Sequence, residues 1–260
     1  MLLAINANNT NVKFAVYDGE RARGDWRIRT ESARTADEYV VWLSQLMSLA
    51  GLKLADVTDT IIATVVPQAL FNLRMLCERH LKAKPLIVGE PGVTLGIQVL
   101  MDMPVREVGA DRLANAVGGH VMFGRPLIIV DFGTATTFDV VDAEGNYLGG
   151  AIAPGINLSL ESLHAATAQL PRIAVAAPKR VIGKDTLTAM QSGVYWGYVG
   201  LIEGIVARIR AEFGGELMVV ATGGLAPLFA KATPVIEKFE PEITMRGLVE
   251  IHRRNRSAPA

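Results

Sequence analysis

Residues Leu2-Leu3-Ala4-Ile5-Asn6-Ala7-Asn8-Asn9-Thr10 and Leu127-Ile128-Ile129-Val130-Asp131-Phe132-Gly133-Thr134-Ala135 repeat one pattern. In each, an apolar strand runs into a short turn of small polar residues and a second strand follows. Tight turns of this kind let backbone N–H groups and hydroxyls come close to phosphate oxygens. A chain that carries the unit twice is constrained to two related halves, each with a phosphate-binding hairpin, and two such hairpins facing each other can hold both ends of a nucleoside triphosphate. The copies are unequal. Asp131 and Gly133 of the second stand where the first has Asn6 and Asn8.

The flanking pattern predicts strands over 2–6, 12–17 and 24–30. A helix over 36–50 follows, opened by Thr35 with Glu38 three residues on, the spacing of a capping box. A strand over 60–66 ending at Pro67, an amphipathic helix over 68–81, a strand over 85–88 and an irregular stretch through Pro104 lead to a helix from Asp111 to Phe123. Gly124-Arg125-Pro126 breaks the chain. Strands over 127–132, 136–142 and 147–153, helices over 156–169 and 185–213, a strand over 217–221 and a helix after Gly223-Gly224 follow. Three meandering strands and then alternating helices and strands, stated twice, predict an α/β fold. Its two similar domains, 1–124 and 125–260, should have a cleft between them.

Composition narrows the partners. The 260 residues are half hydrophobic and one-fifth charged, enough for a substantial core. Twenty-six basic residues balance twenty-six acidic ones, so no net field points to nucleic acid or an anionic membrane. The basic run Arg253-Arg254-Asn255-Arg256 reads as a solvated helix end. No apolar run reaches the roughly 18 residues of a membrane span, and the opening residues look like a strand, not a targeting signal. The single cysteine, Cys77, fits a reducing cytoplasm and falls in an apolar helical pattern, so it reads as a core residue. On the helix over 185–213, Gly193, Gly197, Gly200 and Gly204 share one face. Each glycine costs about 1 kcal/mol relative to alanine in a helix interior. Close helix approach would compensate, either inside the domain or across a homodimer interface. Val194, Tyr198, Leu201, Ile205 and Ile209 form an apolar stripe beside it.

The strongest local chemistry is Asp131-Phe132-Gly133-Thr134-Ala135-Thr136-Thr137. An acid at the end of a buried strand can hold a cation or its water shell, and glycine and hydroxyls after it can contact phosphate. In the first copy Asn9 and Thr10 offer an amide and a hydroxyl, and Lys13 either faces solvent or contacts phosphate. Asp111, in Val108-Gly109-Ala110-Asp111-Arg112, lies near a helix N-terminus, where it serves as a cap or as a catalytic acid/base. Thr222-Gly223-Gly224 joins strand to helix where backbone can approach a nucleotide base or ribose.

Taken in order, these segments resemble the type III pantothenate kinases, of the acetate and sugar kinase, Hsp70 and actin superfamily. The resemblance rests on Asn6 to Thr10, Gly109-Ala110-Asp111-Arg112, Asp131 to Thr134, Gly155, Gly183-Lys184-Asp185-Thr186, Gln191-Ser192-Gly193 and Thr222-Gly223-Gly224. It implies two actin-like (ribonuclease H-like) domains and transfer of the ATP γ-phosphoryl group to pantothenate, the first step toward coenzyme A. It further implies that Asn6, Ala7, Asn8, Asn9, Thr10, Asn11, Val12, Lys13 and Thr134 bind ATP. Asp111 is implied as the general base, with Gly109, Ala110, Arg112 and Thr186 around pantothenate. Asp131 is implied as ligand of a monovalent cation, K⁺ or NH₄⁺, with Mg²⁺ accompanying ATP, in a cytoplasmic homodimer.

The family's first turn normally reads Asp-x-Gly-Asn-Thr, so Asn6 replaces an acid and Asn8 a glycine. Many relatives also carry an aromatic residue about ten positions before the aspartate of the Gly-x-Asp-Arg segment, where this chain has Met101-Asp102. The loss of an acid raises one alternative, a nucleotide- or pantothenate-binding regulatory protein. A second alternative is a kinase of the same superfamily with another small substrate. Intact Asp111 and Asp131 argue against the first, and the Gly-Ala-Asp-Arg and Gly183 to Thr186 segments against the second.

Overall fold

A computed structural model describes residues 1–166 and 170–256. In chain order the elements are β1 (Leu2–Ala7), β2 (Asn11–Asp18), β3 (Arg21–Arg29), α1 (Ala36–Leu49), β4 (Asp59–Thr64), α2 (Pro67–Met75), β5 (Leu86–Ile87) and α3 (Ala110–Phe123). Then come β6 (Leu127–Phe132), β7 (Ala135–Val141), β8 (Tyr147–Pro154), α4 (Ile156–Ala165), α5 (Thr186–Phe213), β9 (Met218–Gly223), α6 (Ala226–Phe229), β10 (Lys238–Phe239) and α7 (Ile243–Arg256). They form two five-stranded sheets, ordered β3-β2-β1-β4-β5 and β8-β7-β6-β9-β10. In each, the first three strands meander antiparallel and the last two run parallel to the first. The duplication read from the two hairpins is thus a duplication of whole topology.

Two compact units result. The first is Met1–Phe123 together with the chain from Glu242 onward, and the second is Gly124–Pro241. The expected second domain, 125–260, therefore loses its last helix to the first. The reason lies in how α7 meets α3. A Cβ on Gly118 would sit 2.1 Å from the Ile243 carbonyl oxygen, and one on Gly247 would sit 1.8 Å from that of Ala114. Backbone touches backbone at this crossing, and Thr244 Oγ1 donates to Asn115 Oδ1 at 2.6 Å beside it.

Strand β1 is buried along its whole length because helices cover both faces of its sheet. On one face Leu3, Ile5, Val12 and Phe14 pack with Tyr39 and Leu43 of α1 and Leu73 of α2. The period-2 alternation puts Ala4, Asn6, Lys13 and Ala15 on the other, where α7 packs on β1 and β4 and α3 packs on β4. The expected capping box forms, with Thr35 N donating to Glu38 Oε2 at 2.8 Å and Glu38 N to Thr35 Oγ1 at 3.2 Å.

Several expectations change. The helix expected over 68–81 stops at Met75 and widens into a π-turn over Leu76–His80. Cys77 there is a core residue, and burial pushes its thiol up to about 12. The last positions of the helix expected over 156–169, residues 167–169, lie outside the described residues. In the basic run, Arg253 and Arg256 are largely exposed, but Arg254 is not a solvated end. Its Nε donates to Glu250 Oε1 at 2.6 Å and its Nη1 to the Leu95 carbonyl at 2.8 Å, while Asn255 Nδ2 donates to the Thr94 carbonyl at 2.8 Å. Among the described residues no helix is long and apolar enough to cross a membrane.

On α5 the buried side is Tyr195, Tyr198, Val199, Ile202 and Val206. Among the described residues, a Cβ on Gly193, Gly197 or Gly200 would meet nothing within 4 Å, and one on Gly204 would meet only Arg208 Nη1 at 3.2 Å.

The two kinds of glycine give opposite expectations. Gly247→Ala should destabilise the fold by about 1–3 kcal/mol, as overpacking does. Gly193→Ala should be neutral or stabilising by up to about 1 kcal/mol, the helix-propensity gain. Thermal melts of the two variants side by side check this. Equal melting temperatures would disprove the backbone contact at Gly247.

Candidate active site

In the first unit, β1 and β2 are joined by a turn that Asn8 N closes on the Asn11 carbonyl at 3.0 Å. Thr30, just past β3, fixes it from outside: Thr30 N donates to the Thr10 carbonyl at 3.0 Å and Thr30 Oγ1 to that of Asn8 at 2.6 Å. Asn9, Thr10 and Asn11 are exposed at its tip, whereas Ala7 and Val12 are buried in the core, so only their backbone is open to a ligand. Asn6 is 7% exposed, and neither its Oδ1 nor the buried Oδ1 of Asn8 has a hydrogen-bond partner. A buried acceptor left unmade costs about 1–3 kcal/mol. Two at one turn mark a place built for something that donates to, or coordinates with, oxygen.

Lys13 does not face solvent. It is buried, and its Nζ donates to Glu242 Oε1 and Oε2 at 2.7 Å each, with Asp25 Oδ2 at 3.6 Å. The strand register puts Asn6 directly opposite it.

Asp111 occupies the first turn of α3, half-buried, and its Oδ1 accepts from Arg112 N at 2.8 Å. Helix N-terminal amides favour an ionised carboxylate. Gly109 provides the room: a Cβ there would lie 2.8 Å from that same Oδ1. Before α3, Gly89, Pro91, Leu95, Val99, Val105 and Arg106 are among the residues lining a pocket of about 420 Å³. This stretch, read as irregular, is held by Arg254 and Asn255 reaching it from α7.

In the second unit, Asp131 lies near the end of β6, opposite Thr137 on β7 and Thr222 on β9. Gly133 N donates to the Ala135 carbonyl at 3.0 Å, giving a turn of two residues. Gly155, which opens α4, clamps this turn by donating to the Thr134 carbonyl at 3.1 Å, and a Cβ on it would lie 2.2 Å from that oxygen. Gly223 approaches from β9 with φ +92°, and a Cβ there would lie 2.7 Å from Asp131 Oδ1. Asp131, Thr134, Gly155 and Gly223 are thus drawn together by backbone contacts that tolerate no side chain.

Of the three hydroxyls after Gly133, only that of Thr134 is at the exposed turn. Thr136 Oγ1 shares a short hydrogen bond with the Tyr198 hydroxyl, whose pKa is raised chiefly by burial. Thr137 Oγ1 donates to Asp139 Oδ2 at 2.9 Å, and Tyr147 donates to Asp139 Oδ1 at 2.8 Å. The second and third threonines therefore brace the hairpin. Asp139 and Glu242 went unremarked in the sequence; an aspartate between Phe138 and Val140-Val141 in a strand was the available signal for the former, which the structure buries fully.

Thr186 is exposed as the first residue of α5, after the N-cap Asp185, whose Oδ1 accepts from Thr188 N at 2.8 Å. Gly183 lies so close to this turn that a Cβ would be 2.3 Å from Ala189 N. No three His, Cys, Asp or Glu side chains gather to hold a metal among the described residues.

The type III pantothenate kinase family matches over residues 2–208. A type III pantothenate kinase of Paramagnetospirillum magneticum is 61% identical over 255 residues, covering 98% of each chain. One of Rhodospirillum rubrum is 62% identical over 255 residues, covering 98% of this chain and 99% of that one. Among solved structures, component A of (R)-2-hydroxyglutaryl-CoA dehydratase from Acidaminococcus fermentans is 12% identical with a TM-score of 0.56, covering 98% of this chain and 99% of that one. The activator of 2-hydroxyisocaproyl-CoA dehydratase from Clostridium difficile, solved with bound ADPNP, is 11% identical with a TM-score of 0.54, covering 100% and 98%. These two are likenesses of fold alone, and the fold is that of the actin-like ATPases and sugar kinases.

Proposed function

The chain belongs to the type III pantothenate kinase family, and from that premise we propose how its residues divide the work. The enzyme is an ATP-dependent kinase that transfers the γ-phosphoryl group of ATP to pantothenate, giving 4′-phosphopantothenate. The non-catalytic alternative finds no support in the relatives.

The carrying observation is Asp111, half-buried in the first turn of α3, where Arg112 N donates to its Oδ1 and helix N-terminal amides favour the carboxylate form. Asp111 takes the proton of the pantothenate hydroxyl as that oxygen bonds to the γ-phosphorus and the bond from phosphorus to the ADP oxygen breaks. Gly109, Ala110, Arg112 and Thr186 bind and orient pantothenate, and a guanidinium suits its carboxylate. The Asn6 to Thr10 turn and Thr134 hold the nucleotide phosphates through backbone N–H groups and hydroxyls. Magnesium, arriving with ATP, neutralises phosphate charge. A monovalent cation, K⁺ or NH₄⁺, bound at Asp131 adds to that neutralisation. Such chemistry needs positioning and charge more than covalent participation. The lone, buried Cys77 supports a cytoplasmic enzyme, and the uncovered glycine edge of α5 supports a homodimer.

In a coupled assay of ADP release, Asp111→Asn should lower kcat at least tenfold with the fold intact, since an amide cannot accept the proton. Undiminished turnover would remove Asp111 from the base role. Asp131→Ala should flatten the K⁺ dependence of activity, and a K⁺ titration like the parent's would count against the cation site.

Gly197→Leu should dissociate the dimer and leave the monomer folded, because nothing among the described residues lies within 4 Å of that Cβ position. Sedimentation and circular dichroism together read this. A dimer unchanged by leucine there would place the interface elsewhere.

A further inference from the structure

The first hairpin holds two features that explain each other. Asn6 Oδ1 is buried and without a partner, and Lys13, opposite Asn6 in the register, is buried with its ammonium turned to Glu242. Cross-strand neighbours on one face lie within reach of each other's side chains. An ammonium has only donors and an amide oxygen only accepts. Without Glu242, Lys13 Nζ has an orphan acceptor in the residue opposite it, Asn6 Oδ1.

We propose that Glu242, from the chain's far end, is a positioning residue for nucleotide binding: it holds Lys13 off Asn6 Oδ1 and so keeps that oxygen open to the metal–nucleotide. An acceptor oxygen cannot bond a phosphate oxygen. Its ligand is a cation or a cation-bound water, and both belong to Mg-ATP. Asn6 thus serves as a neutral ligand only while Lys13 is held elsewhere. Asp25, at 3.6 Å from Nζ and also beside Arg27 at 3.6 Å, is the weaker restraint. Glu242 grips with both oxygens at 2.7 Å because it directly precedes α7, which the Gly118–Gly247 crossing fixes on this unit. The inference rests on reading the first turn as a nucleotide site.

Calorimetric titration with Mg²⁺ and the non-hydrolysable analogue adenylyl imidodiphosphate tests it on the full chain. Glu242→Gln should weaken binding about fivefold or more, roughly the worth of one hydrogen bond, while leaving pantothenate affinity unchanged. Lys13→Met added to Glu242→Gln should return affinity to near the parent's, because the errant ammonium is gone. A purely structural role for the ion pair predicts no such rescue. Parental affinity in Glu242→Gln, or a double variant as weak as the single, overturns the proposal. If Glu242→Gln does not fold, Lys13→Met alone decides: a loss of tenfold or more would mean that Lys13 itself contacts nucleotide, which also overturns it, and retained affinity supports it. Asn6→Ala separates the two readings. If it binds the analogue as the parent does, the nucleotide reading of the first turn fails; if it weakens binding while Glu242→Gln does not, only the present inference fails.

Discussion

The contact between the backbones of α3 and α7 governs the first unit. Gly118 and Gly247 let the two helices approach to a distance no side chain permits, and the approach brings the chain's last helix back to its first sheet. Three consequences follow along α7. Just before its start, Glu242 takes hold of Lys13 on β2. At its middle it seals the face of β1 and β4 against α3. At its end Arg254 and Asn255 grip the backbone at Leu95 and Thr94 and so shape the pocket that precedes Asp111. The hairpin of β1 and β2, the helix that carries Asp111 and the loop before that helix are all braced by one element. Interiors pack densely enough to transmit such bracing.

Much of this architecture was legible. Apolar runs flanked by turn residues located nine of the ten strands, and the Thr35–Glu38 spacing located the start of α1. Those signals are local, as are the capping and hairpin interactions they report. What escaped was non-local. The assignment of α7 to the first unit depends on glycines 129 positions apart, at Gly118 and Gly247, meeting across a helix crossing. Lys13 was open to two readings because its partner, Glu242, is separated from it by 229 positions. The two-residue β10 exposes both Lys238 and Phe239, so no apolar run marks it, whereas the equally short β5 buries Ile87. At the site, the resemblance pointed to residues such as Asp111 and Asp131, while the structure adds why their neighbours are glycines: Gly109 and Gly223 each clear space for a carboxylate oxygen.

The two hairpins have the same strand order and pairing, so their differences reveal a division of labour. In the second, Asp131 stands opposite a hydroxyl, Thr137, which is itself turned to Asp139. In the first, an amide stands opposite a lysine whose charge is taken up by Glu242. Counting the formal charges of Asp25, Arg27, Lys13 and Glu242, the first cluster sums to zero. The first turn therefore offers shape, backbone donors and an unfilled amide oxygen, and the second a fixed carboxylate, Asp131. For phosphoryl transfer this is a workable arrangement, because magnesium retains several of its waters and is held largely by the nucleotide itself. A water in that shell can donate to an amide oxygen much as it would to a carboxylate, with less energy per bond but the same geometry. What the substitution removes is attraction, and attraction acts on binding of the metal–nucleotide before it acts on the position of the γ-phosphoryl group. Its cost should therefore fall on nucleotide affinity more than on kcat, which in the proposed mechanism depends on Asp111 and the placement of the substrate hydroxyl.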